Sequence, residues 1–395
     1  MQRSLTIGLI WSQFAAYHVD RCACVARRLA GRAEVLAVEV ATRSETYAWE
    51  PSGEVAGARK ITLFPGQSFD AVPPVRRYRA MLHAVRNCNV VCIGLSYAHF
   101  DAILLSWTLR LMGKRVIVFS DSKFEDFQRS AGFEFLKSAI LSCYTGAIVA
   151  GRRQIEYFRF LGFRKRPVLP GYDGVDLDRI RAQAGGVLAP DGAAFDERSF
   201  VFVGRFVPKK NLFTLLEAYA IYASAAGASA HRLCLAGGGE QEAALKKAAH
   251  DLGVESMVDF PGFLDAAAVA RLLSAALALI LVSWEEQWGL VVNEALAFGL
   301  PVIASYEVGA RDALVANLIN GFVVESSKPA DIARAMLELC NRETWERMVA
   351  ASHQRAWMGD CGRLADSIEL LVDPSSQDAT ERYERMMVEF SMGKN

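Results

Sequence analysis

SWEEQWGLVVNEALAFGLPVIA, residues 283–304, sets two carboxylates, Glu286 and Glu294, on either side of a glycine turn. The run before it, ALALILVS, has the length and composition of a buried parallel strand. After the turn, VVNEALAFG has helical spacing with Gly299 as a stop signal, and LPVIA resumes as an apolar strand. Strand, turn, helix and strand in that order form one repeat of an α/β sheet. Glu286 is therefore expected in the loop at the carboxyl end of a strand, where open α/β sheets bind ligands, and Glu294 in the first turns of the following helix. The backbone N–H groups of Gly289 and Leu290 open that helix, and a helix start favours an anion. Two ordinary solvated carboxylates beside a βα loop would look the same in isolation. The spacing around them sets them apart.

Working outward, the carboxyl-terminal half offers further strands at SFVFVG, RLCLAG and VDFPGFL, and the amino-terminal half at LTIGLIW, EVLAVEV, KITLF, VVCIGL, RVIVFS and GAIVAG. Helical stretches separate them, the pattern of parallel sheets covered on both faces. The expected organisation is an amino-terminal domain over 1–180, a linker over 181–198 in the Ala-, Gly- and Pro-rich run AQAGGVLAPDGAAFDE, a second domain over 199–355, and helices over 356–395. Gly237-Gly238-Gly239 follows a strand but lacks the GxGxxG spacing, because Gln241 and Glu242 stand where the third glycine belongs. It reads as a close backbone approach beside a ligand.

Polar residues also fall at strand ends in the amino-terminal half. His18 and Asp20 stand at the start of the first helix, where they could face a second substrate; alternatively Asp20 serves the helix amino terminus and His18 is surface-exposed. His99 follows VVCIGL as a cleft residue or a structural one. Asp121 follows RVIVFS as a proton acceptor or a helix cap. VRRYRAMLHAVR presents a basic helix face, with solvation as its simplest explanation.

The charge balance is zero overall, but residues 1–190 carry 26 Lys and Arg against 16 Asp and Glu, and the remainder carries 18 against 28. A basic amino-terminal half fits an anionic surface or acceptor, including peripheral contact with a membrane; complementarity between domains would give the same count. The eight cysteines contain no CxxC pair, which argues against a zinc site or a disulfide framework and for a reducing cytoplasm. No signal sequence opens the chain, its longest apolar run is too short to span a bilayer, and no nucleic-acid motif appears.

The 283–304 run resembles the signature of family 4 glycosyltransferases, retaining enzymes of the GT-B fold, in which a Glu, seven residues and a second Glu lead into a GxPV strand. That resemblance implies two facing Rossmann-like domains with a cleft between them and a carboxyl-terminal helix, around ERYERMMVEF, crossing back to the amino-terminal domain. It implies that Glu286 contacts donor-sugar hydroxyls, with Glu285 a near-miss for that role, and that Glu294 contacts the ribose. Gly204-Arg205 with Lys210 resembles the family loop whose arginine and lysine hold the donor diphosphate, and Gly262-Phe263 the strand end near the nucleobase. Gly174-Val175-Asp176 resembles the motif at the domain junction. Asp176-Leu177-Asp178 also spells the metal-binding DxD of the other main glycosyltransferase fold, but its place in a hinge argues against a metal. Two departures stand out: Phe14-Ala15-Ala16 replaces a phosphate-approaching Gly-Gly pair, and Asp121 stands where much of the family has a histidine.

The implied activity moves a sugar from a nucleoside diphosphate sugar, UDP- or GDP-linked, to a hydroxyl of a saccharide, lipid-linked saccharide or polysaccharide, with retention. No cofactor or metal is required, because Arg205, Lys210 and the helix start stabilise the leaving diphosphate. The alternatives are a natural-product glycosyltransferase, a nucleotide-sugar epimerase, and a non-catalytic sugar-nucleotide-binding protein.

Overall fold

Parallel strands covered on both faces must be apolar along their whole length, and the short β-branched runs of this chain meet that condition. A computed structural model describes residues 5–43 and 53–392; residues 1–4, 44–52 and 393–395 of the expected domains lie outside that range. Leu5–Trp11 (β1), Ala33–Arg43 (β2), Arg59–Ser68 (β3), Val90–Ile93 (β4), Arg115–Ser120 (β5), Gly146–Val149 (β6) and Val168–Leu169 (β7) form one sheet. Its order is β3-β2-β1-β4-β5-β6-β7, with every neighbouring pair parallel. β4 is buried at every residue.

A second sheet comprises Ser199–Val203 (β8), Leu233–Ala236 (β9), Val258–Gly262 (β10), Ala276–Leu281 (β11), Val302–Ser305 (β12) and Gly321–Val324 (β13). It runs β10-β9-β8-β11-β12-β13, again all parallel. Renumbered from its own first strand this is the 3-2-1-4-5-6 order of a Rossmann sheet, with the order reversing between β8 and β11. β13, like the two-residue β7 of the first sheet, is a strand that the sequence patterns above do not single out.

The two sheets belong to two units, one spanning Met1–Asp176 and Cys361–Met386, the other Leu177–Asp360 and Met387–Asn395. The first is therefore completed by late sequence. Leu364, Ile368 and Leu371 of the helix Gly362–Val372 enter the same core as Ile7 and Leu9 of β1 and Val25 and Leu29 from the first helix region. Arg28 pairs with Asp366, and Arg32 reaches Glu369 at 2.8 Å. Arg382, from the last helix, bonds the same two carboxylates at 2.7 and 3.1 Å. Gly171 has φ +98°, and a Cβ there would lie 2.7 Å from the Arg363 backbone, so only glycine admits this approach.

Residues 181–198 lie wholly within the second unit, where a linker was expected. Arg198 explains why. Its guanidinium is buried and needs acceptors, which the carbonyls of Pro190, Asp191 and Ala276 supply. The Ala189 N–H donates to the Phe298 carbonyl at 3.0 Å, so the Ala/Gly/Pro run is anchored at several points. Arg77, expected on a solvated basic face, is buried in a two-point ion pair with Asp101.

Candidate active site

In a sheet whose strands are all parallel, the loops after the strands share one edge, and four of them meet at that edge in the second unit. The loop after β8 carries Arg205, Lys209 and Lys210; the loop after β11 carries Glu285 and Glu286. Lys210 pairs with Glu286, both largely buried, and Ser283 Oγ donates to the same carboxylate at 3.3 Å. Lys209 reaches Glu285 at 3.4 Å with both side chains more exposed. The Trp284 N–H donates to the Lys209 carbonyl at 2.8 Å, which fastens the two loops through backbone as well as charge. Arg205 is exposed.

The loop after β9 brings Gly237–Gly239 against the loop after β8. A Cβ on Gly237 would lie 1.9 Å from the Gly204 carbonyl oxygen, and one on Gly239 would lie 2.6 Å from that of Phe206. Those two glycines thus serve the expected close backbone approach, the neighbour being the chain's own loop after β8. At Gly238 the nearest atom to such a Cβ would be a Glu242 oxygen at 3.6 Å. The Gly238 carbonyl accepts from the Phe206 N–H at 2.8 Å, and the Gly262 carbonyl from the Gly237 N–H at 2.9 Å. Phe263, just beyond β10, is 87% exposed at the same edge.

Gly289 turns the chain from the β11 loop into the helix Leu290–Ala297 with φ +99°, and a Cβ there would meet Leu281 at 2.8 Å. The N–H groups of Leu290 and Val291 belong to the unpartnered first turn of that helix. Glu294 lies one turn further, half-buried. Burial pushes its carboxyl up to about 7, against the pull of the Arg179 guanidinium. The edge thus holds cations, a helix start and carboxylates on either side of it, a set that can bind a diphosphate and accept hydrogen bonds from hydroxyl groups.

The first unit treats its expected site residues differently. His18 is buried; its Nδ1 accepts from the Ala15 N–H at 2.9 Å, and its ring packs on Trp11 and Tyr17. Burial, with Arg21 adding to it, holds the imidazole well below its ordinary range. His18 is therefore neither surface-exposed nor presented to a second substrate. Asp20 is buried inside the helix and accepts from the Asp176 N–H at 3.3 Å, rather than serving the helix amino terminus. His99 is half-buried at the start of the helix Phe100–Leu111, its ring edge-on to Phe69. Asp121 lies half-buried at the end of β5, its carboxyl raised mainly by burial and further by Asp126. The following turn is capped at Lys123, whose N–H donates to the Asp126 carboxylate at 2.8 Å, leaving Asp121 outside that role. Asp178 is solvent-facing and reaches Arg181 at 3.2 Å.

Residues 190–355 match the family model described as glycosyl transferases group 1. The D-inositol 3-phosphate glycosyltransferase of Frankia alni is 34% identical over 189 residues, 45% of this chain and 46% of that one. An uncharacterized glycosyltransferase of Methanocaldococcus jannaschii is 31% identical over 142 residues, 36% of this chain and 35% of that one. The matched stretches span half or less of these curated relatives. Sucrose-phosphate synthase from Thermosynechococcus elongatus superimposes with a TM-score of 0.67 at 19% identity, covering 94% of this chain and 98% of that one. Anabaena HepE, solved with UDP and glucose, gives 0.68 at 16% identity, covering 94% and 100%. The fold is GT-B.

Within this GT-B chain, two supports of the site carry no obvious sequence flag. Asn211, buried with φ +59°, donates to the carbonyls of Val282 and Ser326 and so ties the Lys210 loop to the end of β11. Val308–Ala310 straps the glutamate loop: the Gly309 N–H donates to the Glu286 carbonyl at 3.1 Å and the Ala310 N–H to that of Trp288 at 2.9 Å. A Cβ on Gly309 would lie 1.7 Å from the Gln287 carbonyl oxygen. A lone glycine after β12 was the available signal. Arg21, buried beneath Tyr17 and Tyr172 and bonded to Asp173 at 3.0 Å, was equally unmarked.

Proposed function

We propose that the chain is a retaining glycosyltransferase of the family 4 type, moving a hexose-type sugar from a nucleoside diphosphate to an acceptor hydroxyl. The observation that carries this is the Lys210–Glu286 pair, which joins a cation and a carboxylate from separate loops beside the helix start at Gly289. The group 1 family match over residues 190–355 and the GT-B neighbours support it.

In the reaction the bond from the anomeric carbon to the phosphate oxygen breaks and a bond to the acceptor oxygen forms with retention. The acceptor's proton passes to a base, and negative charge grows on the departing diphosphate. Arg205, Lys210 and the N–H groups at Gly289 and Leu290 stabilise that charge, the work a metal does at other sites. Glu286 accepts from sugar hydroxyls and Glu294 from the ribose; Gly204 and Gly238 give the donor close access to backbone, and Phe263 lies near the base. The second unit thus serves the donor and the first the acceptor, with Asp121 as the proton acceptor. UDP is the first nucleotide to try, because HepE of the same fold was solved with it. The acceptor is a saccharide, polysaccharide or lipid-linked saccharide, met in the cytoplasm by peripheral contact at the inner face of the cell membrane.

Calorimetry against UDP, GDP and ADP, followed by transfer assays with the matching sugar nucleotides and NMR of the product's anomeric signal, tests the proposal. Nucleotide binding without transfer to any acceptor would convert it to a binding protein. Donor consumed with no acceptor present would make it an epimerase, and an absolute EDTA-sensitive metal requirement would overturn the assigned role of the cations.

A further inference from the structure

The helix Ala131–Ile140 of the first unit is packed inside out. Its one fully buried side chain is Glu134, 6% exposed, while Phe133 and Phe135 are 73% and 78% exposed and Leu136 is also largely exposed. Glu134 is held in place by the Tyr157 hydroxyl at 2.7 Å, with Arg129 and Lys137 nearby at 3.4 and 3.5 Å. An amphipathic helix in a protein that kept this face in water would present the opposite sides.

The exposed rings do not stand alone. Phe124 and Phe160 touch edge-to-face with centroids 5.6 Å apart, and both are exposed. The Arg129 guanidinium lies 5.9 and 5.7 Å from the rings of Phe124 and of exposed Phe127. Arg129 also lines, with Phe133, Leu136 and Lys137, an open groove of about 320 Å³ that runs to Tyr97 in the loop after β4. Five exposed phenylalanines and a leucine therefore come from three segments, 124–127, 131–140 and 152–160, joined by the Phe124–Phe160 contact, Arg129 and the groove, and this exceeds the scattered single exposures normal on a soluble surface.

The charge around this face is mainly basic: exposed Glu125 adjoins Phe124 and Glu156 lies one turn before Phe160, but Glu156 is paired with Arg152 at 3.0 Å and the cations outnumber both. Between Tyr157 and Tyr172 the chain has four basic residues, Arg159, Arg164, Lys165 and Arg166, and no acidic one. Arg166 is occupied with the carbonyls of Leu141 and Tyr144, but Arg159, next to Phe160, and Arg164 and Lys165, four and five residues further along the chain, are exposed. Apolar rings flanked by exposed cations match a bilayer whose surface carries anionic headgroups: the rings enter the headgroup and acyl boundary and the cations meet phosphate. Among the described residues no helix is long and apolar enough to cross a membrane.

We infer that the face formed by Phe124, Phe127, Phe133, Phe135, Leu136 and Phe160 with its flanking cations docks the first unit on an anionic membrane surface. This gives a location to the peripheral contact in the function proposed above and rests on that reading for its purpose. Lipid binding is measured without donor or acceptor, so its failure leaves sugar transfer standing, and loss of transfer leaves docking standing.

The experiment is co-sedimentation of the full chain with vesicles of phosphatidylcholine, with and without phosphatidylglycerol. The chain is expected to partition onto phosphatidylglycerol vesicles at least about tenfold more strongly than onto phosphatidylcholine alone, and less as salt rises. Phe133→Ser with Phe135→Ser, and separately Arg164→Glu with Lys165→Glu, should each lower that partition about tenfold. All four side chains are exposed, so the folded state is retained, which circular dichroism and the melting temperature verify. Equal binding to both vesicle types, no binding to either, or binding unmoved by the phenylalanine changes overturns the inference. So does concentration-dependent self-association, seen by analytical ultracentrifugation, that the phenylalanine changes abolish while vesicles go unbound.

Discussion

At the carboxyl edge of the second sheet the loops present charge; at the same edge of the first sheet they present rings. Lys210 pairs with Glu286 near the exposed Arg205, whereas Trp11, Phe119 and Tyr172 stack in series at 5.3 and 5.0 Å. Trp11 Nε1 donates to the Tyr172 hydroxyl at 3.0 Å, and Gly94 lies so near Trp11 that a Cβ would sit 2.3 Å from its ring nitrogen. The polar residues of that first edge, His18, Asp20 and Arg21, are absorbed into the fold. Two sheets of parallel strands thus treat the same edge differently: paired charge in one, and in the other stacked rings and absorbed polar residues, with His99 and Asp121 left half-buried.

The sharpest way to break this contrast is to remove the cations. Arg205→Ala and Lys210→Ala should each lower kcat/KM by on the order of 10²–10³-fold, the usual loss when a group facing developing charge is deleted. The same assay on His99→Ala should show a far smaller change. A loss at His99 equal to that at Lys210 would mean the first edge carries as much of the chemistry as the second.

Next in size is a pH effect that separates the units. Because burial raises the Glu294 carboxyl from 4.5 to about 7, its contribution is fully present below pH 4.5 and is lost as pH rises through about 7. The loss amounts to about 3 kcal/mol at most. Urea titrations of Glu294→Gln across that window should show a flatter stability curve than the parent; an unchanged slope would remove Glu294 as its source.

The two glutamates should then part company in ligand binding. Above pH about 7, where its carboxyl is ionised, Glu294→Ala should weaken bare nucleotide by roughly 1.5–3 kcal/mol, the value of charge-assisted bonds to ribose hydroxyls. Glu286→Ala should leave nucleotide affinity nearly intact and lower turnover instead. The reverse pattern in calorimetry would exchange their roles.

Smallest is the change at His18. Its depressed imidazole contributes stability above its ordinary value of 6.5 that is lost as pH falls below it, the opposite slope to Glu294. His18→Leu should cost about 1 kcal/mol at neutral pH, because the Ala15 N–H loses its acceptor, and should also remove the acid-side loss. A variant as acid-sensitive as the parent would place the titrating group elsewhere.

What the sequence disclosed follows the same divide. Strand periodicity marks most of both sheets, because parallel strands buried on two faces have few other ways to be written. β13 escaped because four residues, GFVV, carry too little pattern. The paired loops after β8 and β11 were legible because cations and carboxylates stand there directly after apolar strands. Asn211 and Gly309 were not, since one is a buried amide whose partners are carbonyls far along the chain, and the other is a glycine required by a contact 22 residues back at Gln287. Residues 181–198 have the composition of a linker, and only the buried Arg198, which needs carbonyls around it, reveals that they pack.

The discontinuity of the first unit bears on how the chain is made. Synthesis runs from the amino terminus, so nearly all of the second unit, Leu177–Asp360, leaves the ribosome before the helix Gly362–Val372 does. Until that helix emerges, the apolar surface of β1 and the helix Ala16–Arg28 that Leu364 and Ile368 cover is open to water and to chaperones. The amino-terminal domain is thus begun first yet completed only after most of the second has been made, and a nascent chain stalled before Cys361 carries a second unit lacking only its last residues and a first unit with an uncovered core.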